Sequence, residues 1–492
     1  MNIRTCSLSA LVLQLGLLCA CSTPPARLEP LDLAQTTGAD RLAIRQDVEP
    51  LGPRLGLDEA IARALKYNLD RRARQFEEAL ALRQFEEAGH DRLPKLVAAA
   101  GYTSRDKDRV ANSTDSVTGA PSLANPSISQ DRSHTLSSLT LSWSLLDYGL
   151  ASYNARQAGD RLLAATERRR KATHLLVQDV RAAYWRAASA QKLRQDVRDA
   201  LKLADDAMSD SRAAEQEKLR SPLDTLRYQR QLTENMRLLE YIEQDLATAR
   251  FELAALINAP VDREVELVAD EMPSAKDPLA VPGEDMEDQA LSQNAELREQ
   301  LYQRRVAAIE ARKVLVRAFP NLTFSYGRLH DTDSYLLNSG WSEAGVNIST
   351  NLFNLLALPA QKRSAEAAVA LADQRRLAAH VAVVTQVHVA RAQLAGARRQ
   401  FERADSLWQL DDRILSQTLK REEARAGSKL DRVAAQTTAI ISRLRRYQAL
   451  AQWHAAVGRL QATIGVDALP DSSDDLSLDA VRVQVRQRLL DN

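Results

Sequence analysis

The chain contains few cysteine, aromatic, glycine and proline residues. Its 492 residues include three cysteines, all within the first 21 positions. A disulfide framework or a cysteine metal site in the rest of the chain is therefore excluded. Aromatic residues make up 5%, and there are only 17 glycines and 16 prolines. This composition indicates long helices rather than a compact α/β enzyme.

An excess of charge of one sign is also lacking. Lysine and arginine total 66, against 65 aspartate and glutamate residues, which leaves a net charge of +1. This balance excludes a strongly basic nucleic-acid-binding protein and an acidic solvating tail. The sequence therefore predicts no nucleic-acid partner.

Motifs that carry catalysis or cofactor binding are absent from the sequence. There is no phosphate-binding loop, no dinucleotide-binding glycine pattern and no G-x-S-x-G nucleophile motif. The seven histidines are scattered, and no carboxylate completes a metal-binding pattern around His380 and His388. We expect no cofactor and no metal, and we expect that the protein is not an enzyme.

The N-terminus has the pattern of a lipoprotein signal peptide over residues 1–20. An apolar stretch follows Arg4, and it is too short to span a bilayer. Leu18-Cys19-Ala20-Cys21 resembles a bacterial lipobox, so Cys21 is the predicted lipid anchor. Ser22 after Cys21 resembles the pattern of lipoproteins destined for the outer membrane. The alternative is an ordinary cleaved signal with an incidental cysteine.

Most of the chain is a duplicated unit. Leu93-Pro94-Lys95-Leu96 corresponds to Phe319-Pro320-Asn321-Leu322, and Leu145-Leu146-Asp147 corresponds to Leu352-Phe353-Asn354 at a smaller offset. Leu223-Asp224 and Leu430-Asp431 keep this smaller offset. Its constancy along this stretch indicates two helical segments of equal length. The excess in the first half falls in a polar loop at about 104–134.

Each half predicts the same order of elements. A helix of about 36 residues, ended by proline, precedes two alternating strands, a helix of about 70 residues and a returning helix of about 36. The long helix can therefore be matched along its length by two shorter ones. The predicted boundaries are a signal peptide at 1–20, an extended strap at 21–54, repeats at 55–262 and 283–466 joined by a linker at 263–282, and a polar tail at 467–492.

The predicted strands alternate apolar and polar side chains. Trp143 belongs to a run in which apolar residues alternate with hydroxyls, and Phe324 and Tyr326 alternate with Thr323 and Ser325. This alternation is typical of membrane β-barrels, although half-buried strands of a soluble sheet show it too. Four strands cannot close a barrel, and open edges are not tolerated in hydrocarbon. Membrane-spanning strands would therefore require several chains to share one barrel.

Together, the signal, the duplicated helix–strand–strand–helix units and the long helical rods resemble the TolC family of outer-membrane efflux proteins. Leu223-Asp224 with Gln229, and Leu430-Asp431 with Gln436, are similar to the family pattern at the returning helices. The resemblance covers about 55–466 and implies long coiled-coil helices in a periplasmic α-barrel, with four strands per chain in a trimeric 12-stranded outer-membrane β-barrel. It further implies a homotrimer in outer-membrane lipid, working with a periplasmic adaptor and an inner-membrane pump.

The resemblance also implies a constricted tip where the returning helices begin. Asp431 and Asp224 match family positions that line or lock this aperture, but the usual second aspartate one turn later is Ala434 here. A ring of carboxylates would favour cations. Alternatively, each aspartate simply begins a helix, where the helix dipole favours it. Nearby cations that could pair with these aspartates are Lys218, Arg220, Arg421, Arg425 and Lys429.

The sequence therefore predicts a lipid-anchored, trimeric outer-membrane channel that acts as the passive exit duct of a tripartite efflux or type I secretion system. A soluble periplasmic coiled-coil scaffold or adaptor, with its strands in a small sheet, is the alternative.

Overall fold

The computed structural model describes residues 27–112, 114–121, 126–217, 221–263, 265–268, 277–424, 426, 428–467 and 476–491. The chain divides into two compact units, Met1–Pro50 and Leu51–Asn492. The first unit contains helix α1 (Pro30–Ala43), where the sequence predicted an extended strap. Proline in the first turn and a capping box between Glu29 and Asp32 favour this helix start.

The second unit contains two halves with the same order of main elements. The first half consists of β1 (Arg54–Leu55), α2 (Leu57–Tyr67), α3 (Leu69–His90), β2 (Lys95–Ser104), β3 (Val110–Ala111), β4 (Ser127–Ile128), β5 (Ser133–Ser144), α4 (Leu145–Gln216), α5 (Pro222–Leu256) and β6 (Glu266–Leu267). The second half consists of α6 (Gly283–Gln293), α7 (Ala295–Val316), β7 (Asn321–Asp331), β8 (Gly340–Ser349), α8 (Leu352–Glu423) and α9 (Lys429–Thr463), and α10 (Leu478–Asp491) follows it.

Matching helices of the two halves have equal lengths. The long helices α4 and α8 contain 72 residues each, and the returning helices α5 and α9 contain 35 each. The predicted mainly helical fold with a small β part is therefore confirmed. One difference concerns the first helix of each half, which is broken at Asn68 and Asn294, where the backbone becomes extended.

The strands form a four-stranded antiparallel sheet in the order β2-β5-β7-β8. Its register aligns Trp143 with Phe324 and Phe324 with Val346, so apolar side chains from three strands share one face. Thr323 pairs with Ser144 and with Asn347 on the opposite face. Strands β2 and β8 are the two edges of this sheet.

Helix α4 is central to the packing and contacts α3, α5, α7 and α9. Its middle section buries Val180, Tyr184, Trp185 and Leu193 almost completely. The Tyr184 hydroxyl shares its hydrogen between the carbonyl of Leu55 in β1 and that of Val268 just after β6, at 3.0 and 2.6 Å. This contact fixes the β1–β6 pair, at the start and end of the first half, against α4.

The C-terminal region differs from the polar tail that the sequence predicted. Within 467–492, residues 478–491 form helix α10, which packs against α2. Leu478, Val481 and Val485 are buried, and Arg482 pairs with Asp58 at 3.1 Å. Apolar residues at helical spacing within a polar sequence explain why the helix has a packing face.

Candidate functional site

The candidate tip is formed where the returning helices begin. Helix α5 starts shortly after the end of α4, and α9 starts shortly after the end of α8. Asp224 and Asp431 both lie in the first turn of their helices. The positive end of the helix dipole favours a carboxylate at these positions.

Asp431 forms a capping box with Ser428. The backbone amide and hydroxyl of Ser428 donate to Asp431 Oδ2 at 3.2 and 2.9 Å, and the Asp431 amide donates to Ser428 Oγ at 3.2 Å. Asp431 therefore stabilises the start of the helix, as the simpler interpretation predicts. It is also exposed, so its carboxylate remains in contact with water.

Asp224 makes a weaker local contact. Its Oδ1 lies 3.8 Å from Arg227 Nη1, and both side chains are largely exposed, at 69% and 71%. Exposed pairs of this kind contribute little to stability. Asp224 is thus available to solvent or to another chain.

Lys429 joins the two halves at this end of the molecule. Its Nζ forms an ion pair with Asp210 in the last turns of α4. The carboxylate of Asp210 raises the pKa of Lys429. The sequence placed Lys429 near enough to pair with Asp224 or Asp431, but its partner lies on a neighbouring helix because α9 packs against α4. Lys218, Arg220 and Arg425 lie outside the described residues.

Polar contacts also tie each returning helix to the long helix before it. Gln229 Nε2 donates to Glu215 Oε2 at 2.8 Å, which connects α5 to α4. Arg432 Nη1 lies 3.5 Å from Glu422 Oε2, which connects α9 to α8. An apolar cluster joins α4, α5 and α9 in the same region, formed by Ala204, Ala207, Leu232 and Val433. The tip is therefore held by surface pairs over a small apolar core.

The four-stranded sheet presents an exposed apolar face. Phe324 and Tyr326 are 42% and 56% exposed, and Val346 and Ile348 are 65% and 71% exposed. Trp143 packs edge-on against Tyr148 of α4, with ring centroids 5.6 Å apart. A contiguous apolar surface of this kind marks a contact with lipid or protein.

Two features are absent from the described part of the chain. None of its helices combines the length and the apolar character needed to cross a bilayer. Among these residues, no three histidine, cysteine, aspartate or glutamate side chains converge in a way that could hold a metal ion.

Residues 60–259 match the sequence model of the outer membrane efflux protein family. The resemblance to the TolC family is confirmed. No curated protein matches the chain significantly in sequence.

Solved channels of the TolC family share the fold. The CmeC outer membrane channel of Campylobacter jejuni is 13% identical, with a TM-score of 0.64 over 87% of this chain and 89% of CmeC. The outer membrane protein VceC of Vibrio cholerae is 16% identical, with a TM-score of 0.61 over 83% and 96%. The open state of the MtrE outer membrane channel of Neisseria gonorrhoeae is 18% identical, with a TM-score of 0.59 over 86% and 96%.

Sequence reasoning missed Asp210, the partner of Lys429. Asp210 lies inside a helix of 72 residues with many charged side chains, and no motif singles it out. Asn68 and Asn294, where the first helix of each half is broken, can be recognised in the sequence as a matched pair, since they occupy corresponding positions of the two halves.

Proposed function

We propose that three copies of this chain form an outer-membrane channel, the passive exit duct of a tripartite efflux or type I secretion system. The observation that carries this proposal is a TolC-family fold whose only four-stranded sheet among the described residues has an exposed apolar face and two open edges. The partners are a periplasmic adaptor and an inner-membrane pump, and Cys21, outside the described residues, anchors the chain to lipid.

The open edges of the sheet support a trimer. Strands β2 and β8 have a partner on one side only, and unpaired backbone groups are strongly unfavourable in hydrocarbon. Joining β8 of one copy to β2 of the next, three times, closes a barrel of 12 strands. The exposed apolar face then meets lipid, and the hydroxyl-rich face lines the interior.

Exposed apolar side chains on two helices support the same arrangement. Helix α5 contacts α4 extensively but exposes Leu226 and Tyr241, and α8 exposes Leu407 and Ile414. These side chains are suited to contact between neighbouring copies, because a ring of identical subunits joins two different surfaces of each chain.

Opening at the tip is proposed to depend on the Lys429–Asp210 pair. The pair links α9 to α4, so separating it frees the start of α9 to move away from the long helix. Exposed Asp224 and Asp431 from three copies would then line a negatively charged aperture that favours cations. Lys218 and Arg425 are candidates for the same region.

Channel recordings in planar bilayers test this gating role. Lys429→Ala should raise single-channel conductance or open probability, and Asp210→Asn should have the same effect. The charge swap Lys429→Asp with Asp210→Lys should restore the wild-type trace. Asp431→Ala should weaken block by divalent cations. Wild-type conductance in both single variants would contradict the proposed latch while leaving the channel function itself intact.

Membrane fractionation tests the channel against a soluble scaffold or adaptor. We expect the protein in the outer-membrane fraction as an oligomer that dissociates only on heating in detergent. Release by a salt wash as a monomer would overturn the channel and favour the scaffold.

A further inference from the structure

A small cavity lies midway along α4, far in sequence from the tip and the sheet. Its walls come from α2, α4, α9, α10 and the segment at Val466 and Asp467, and its volume is about 40 Å³. Two arginines, Arg181 of α4 and Arg488 of α10, are part of the lining. The cavity thus lies where both halves and the C-terminal helix meet.

Arg181 is a buried cation without a hydrogen-bond or ion-pair partner among the described residues. Its relative exposure is 7%, and it forms no hydrogen bond or ion pair with any residue that the structure describes. Gly458 of α9 lies beside the guanidinium, since a Cβ at that position would be in van der Waals contact, 3.4 Å from Arg181 Nη1. Burial lowers the pKa of Arg181 to about 10, so the group is still charged at neutral pH.

The other charged groups around the cavity do not compensate Arg181. Asp467 lines the same cavity, but its carboxylate already has two partners. Its Oδ2 accepts from Arg170 Nη2 at 2.9 Å, and its Oδ1 lies 2.9 Å from His174 Nε2. His454 adds no positive charge at neutral pH, because burial and the charge of Arg181 lower its pKa to about 4. Among the described residues, no carboxylate is thus left to neutralise the guanidinium of Arg181.

A buried cation of this kind needs an acceptor. Removing a guanidinium from water without a compensating hydrogen bond or counter-charge is strongly unfavourable. The volume of about 40 Å³ exceeds the roughly 10–15 Å³ that one water needs on the same measure, so a single ion fits. The space is too small for an organic ligand of ordinary size.

We propose that this cavity binds one small monovalent inorganic anion, of the size of chloride, through the guanidinium of Arg181. The anion neutralises the buried charge and joins α4 to α9 and α10. It stabilises the middle of the molecule.

Thermal unfolding of the purified full-length protein tests the proposal. Sodium gluconate is exchanged for sodium chloride in steps at constant ionic strength. Once the chloride concentration exceeds the Kd of the site for chloride, the melting temperature should rise by roughly 1–3 °C for each further tenfold increase in chloride. Arg181→Met should abolish this dependence. The matched control is Arg486→Met, which changes an exposed arginine of α10 and should keep the dependence.

A second measurement needs no variant. Crystals grown in sodium bromide should show an anomalous scattering peak within hydrogen-bond distance of the Arg181 guanidinium. A wild-type melting temperature that is the same in chloride and gluconate would overturn the proposal. So would a bromide derivative without a peak at Arg181, as expected if water or a carboxylate of the chain fills the cavity.

Discussion

Two asparagines at matching positions join three helices each. Asn68 Oδ1 accepts the amide of Arg71 at the start of α3, and its Nδ2 donates to the carbonyl of Leu256 at the end of α5, at 3.0 Å. Asn294 caps α7 in the same way and donates to Thr463 at the end of α9, at 2.9 Å. Each side chain thus satisfies groups at one helix start and another helix end.

At the residue scale, we predict that Asn68→Ala lowers stability by about 1–3 kcal/mol, because it removes a helix cap and leaves a carbonyl without its donor. Asn68→Ser keeps a capping oxygen but cannot reach Leu256, so its loss should be smaller. Thermal unfolding of the purified protein measures both. Equal losses for the two variants would show that capping contributes nothing here.

The long helices are held side by side by ion pairs as well as by apolar contacts. Between α4 and α7, Asp160 pairs with Arg305 at 2.7 Å and Glu167 pairs with Arg298 at 2.9 Å. Both carboxylates are almost fully buried, whereas the arginines are more exposed. Part of the nearly balanced charge of the sequence thus consists of opposite charges that pair between neighbouring helices.

Helix α10 supports a prediction at the element scale. Val485 is 3% exposed, whereas Val483, two residues away on the same helix, is 55% exposed. Val485→Asp should detach α10 from α2, because it buries an uncompensated charge. Val483→Asp should change little. Limited proteolysis of α10 reports the difference, and equal protection in both variants would contradict the observed packing.

The sequence predicts those features of the helices that depend on neighbouring residues, and it misses those that depend on contacts between distant ones. The repeat offset predicted paired helices of equal length, because helical periodicity and proline positions are local properties. It did not predict the breaks at Asn68 and Asn294, since neither glycine nor proline lies at these positions. The partner of Lys429 was missed for a related reason, because it depends on which helix lies beside α9.

The whole molecule is organised so that its sheet and its helices expose surfaces that one chain cannot cover. Three sheet strands align Trp143, Phe324 and Val346 on one face, and the adjacent set Ser144, Thr323 and Asn347 on the other face is polar. A single copy leaves the apolar face in water and both sheet edges open. Assembly and membrane insertion would resolve both problems at once.

This arrangement predicts opposite outcomes for adjacent substitutions in β8. Val346→Lys places a charge on the apolar face and should cost up to about 2–4 kcal/mol per strand at the bilayer centre. Asn347→Lys places the same charge on the polar face and should be tolerated. Recovery of oligomer from outer membranes distinguishes them. Similar recovery of the two variants would argue against lipid contact on the apolar face.

Local features of the sequence were sufficient for the main elements of this protein. Helical and strand periodicity of apolar residues, prolines at helix ends and the constant offset between the two halves can all be read along the chain, and they predicted rods, strands and their duplication. The lateral order of the helices, the Lys429–Asp210 pair, the docking of α10 and the buried Arg181 required the tertiary structure. These depend on side chains far apart in the sequence, whose meeting is decided by packing and not by any local pattern.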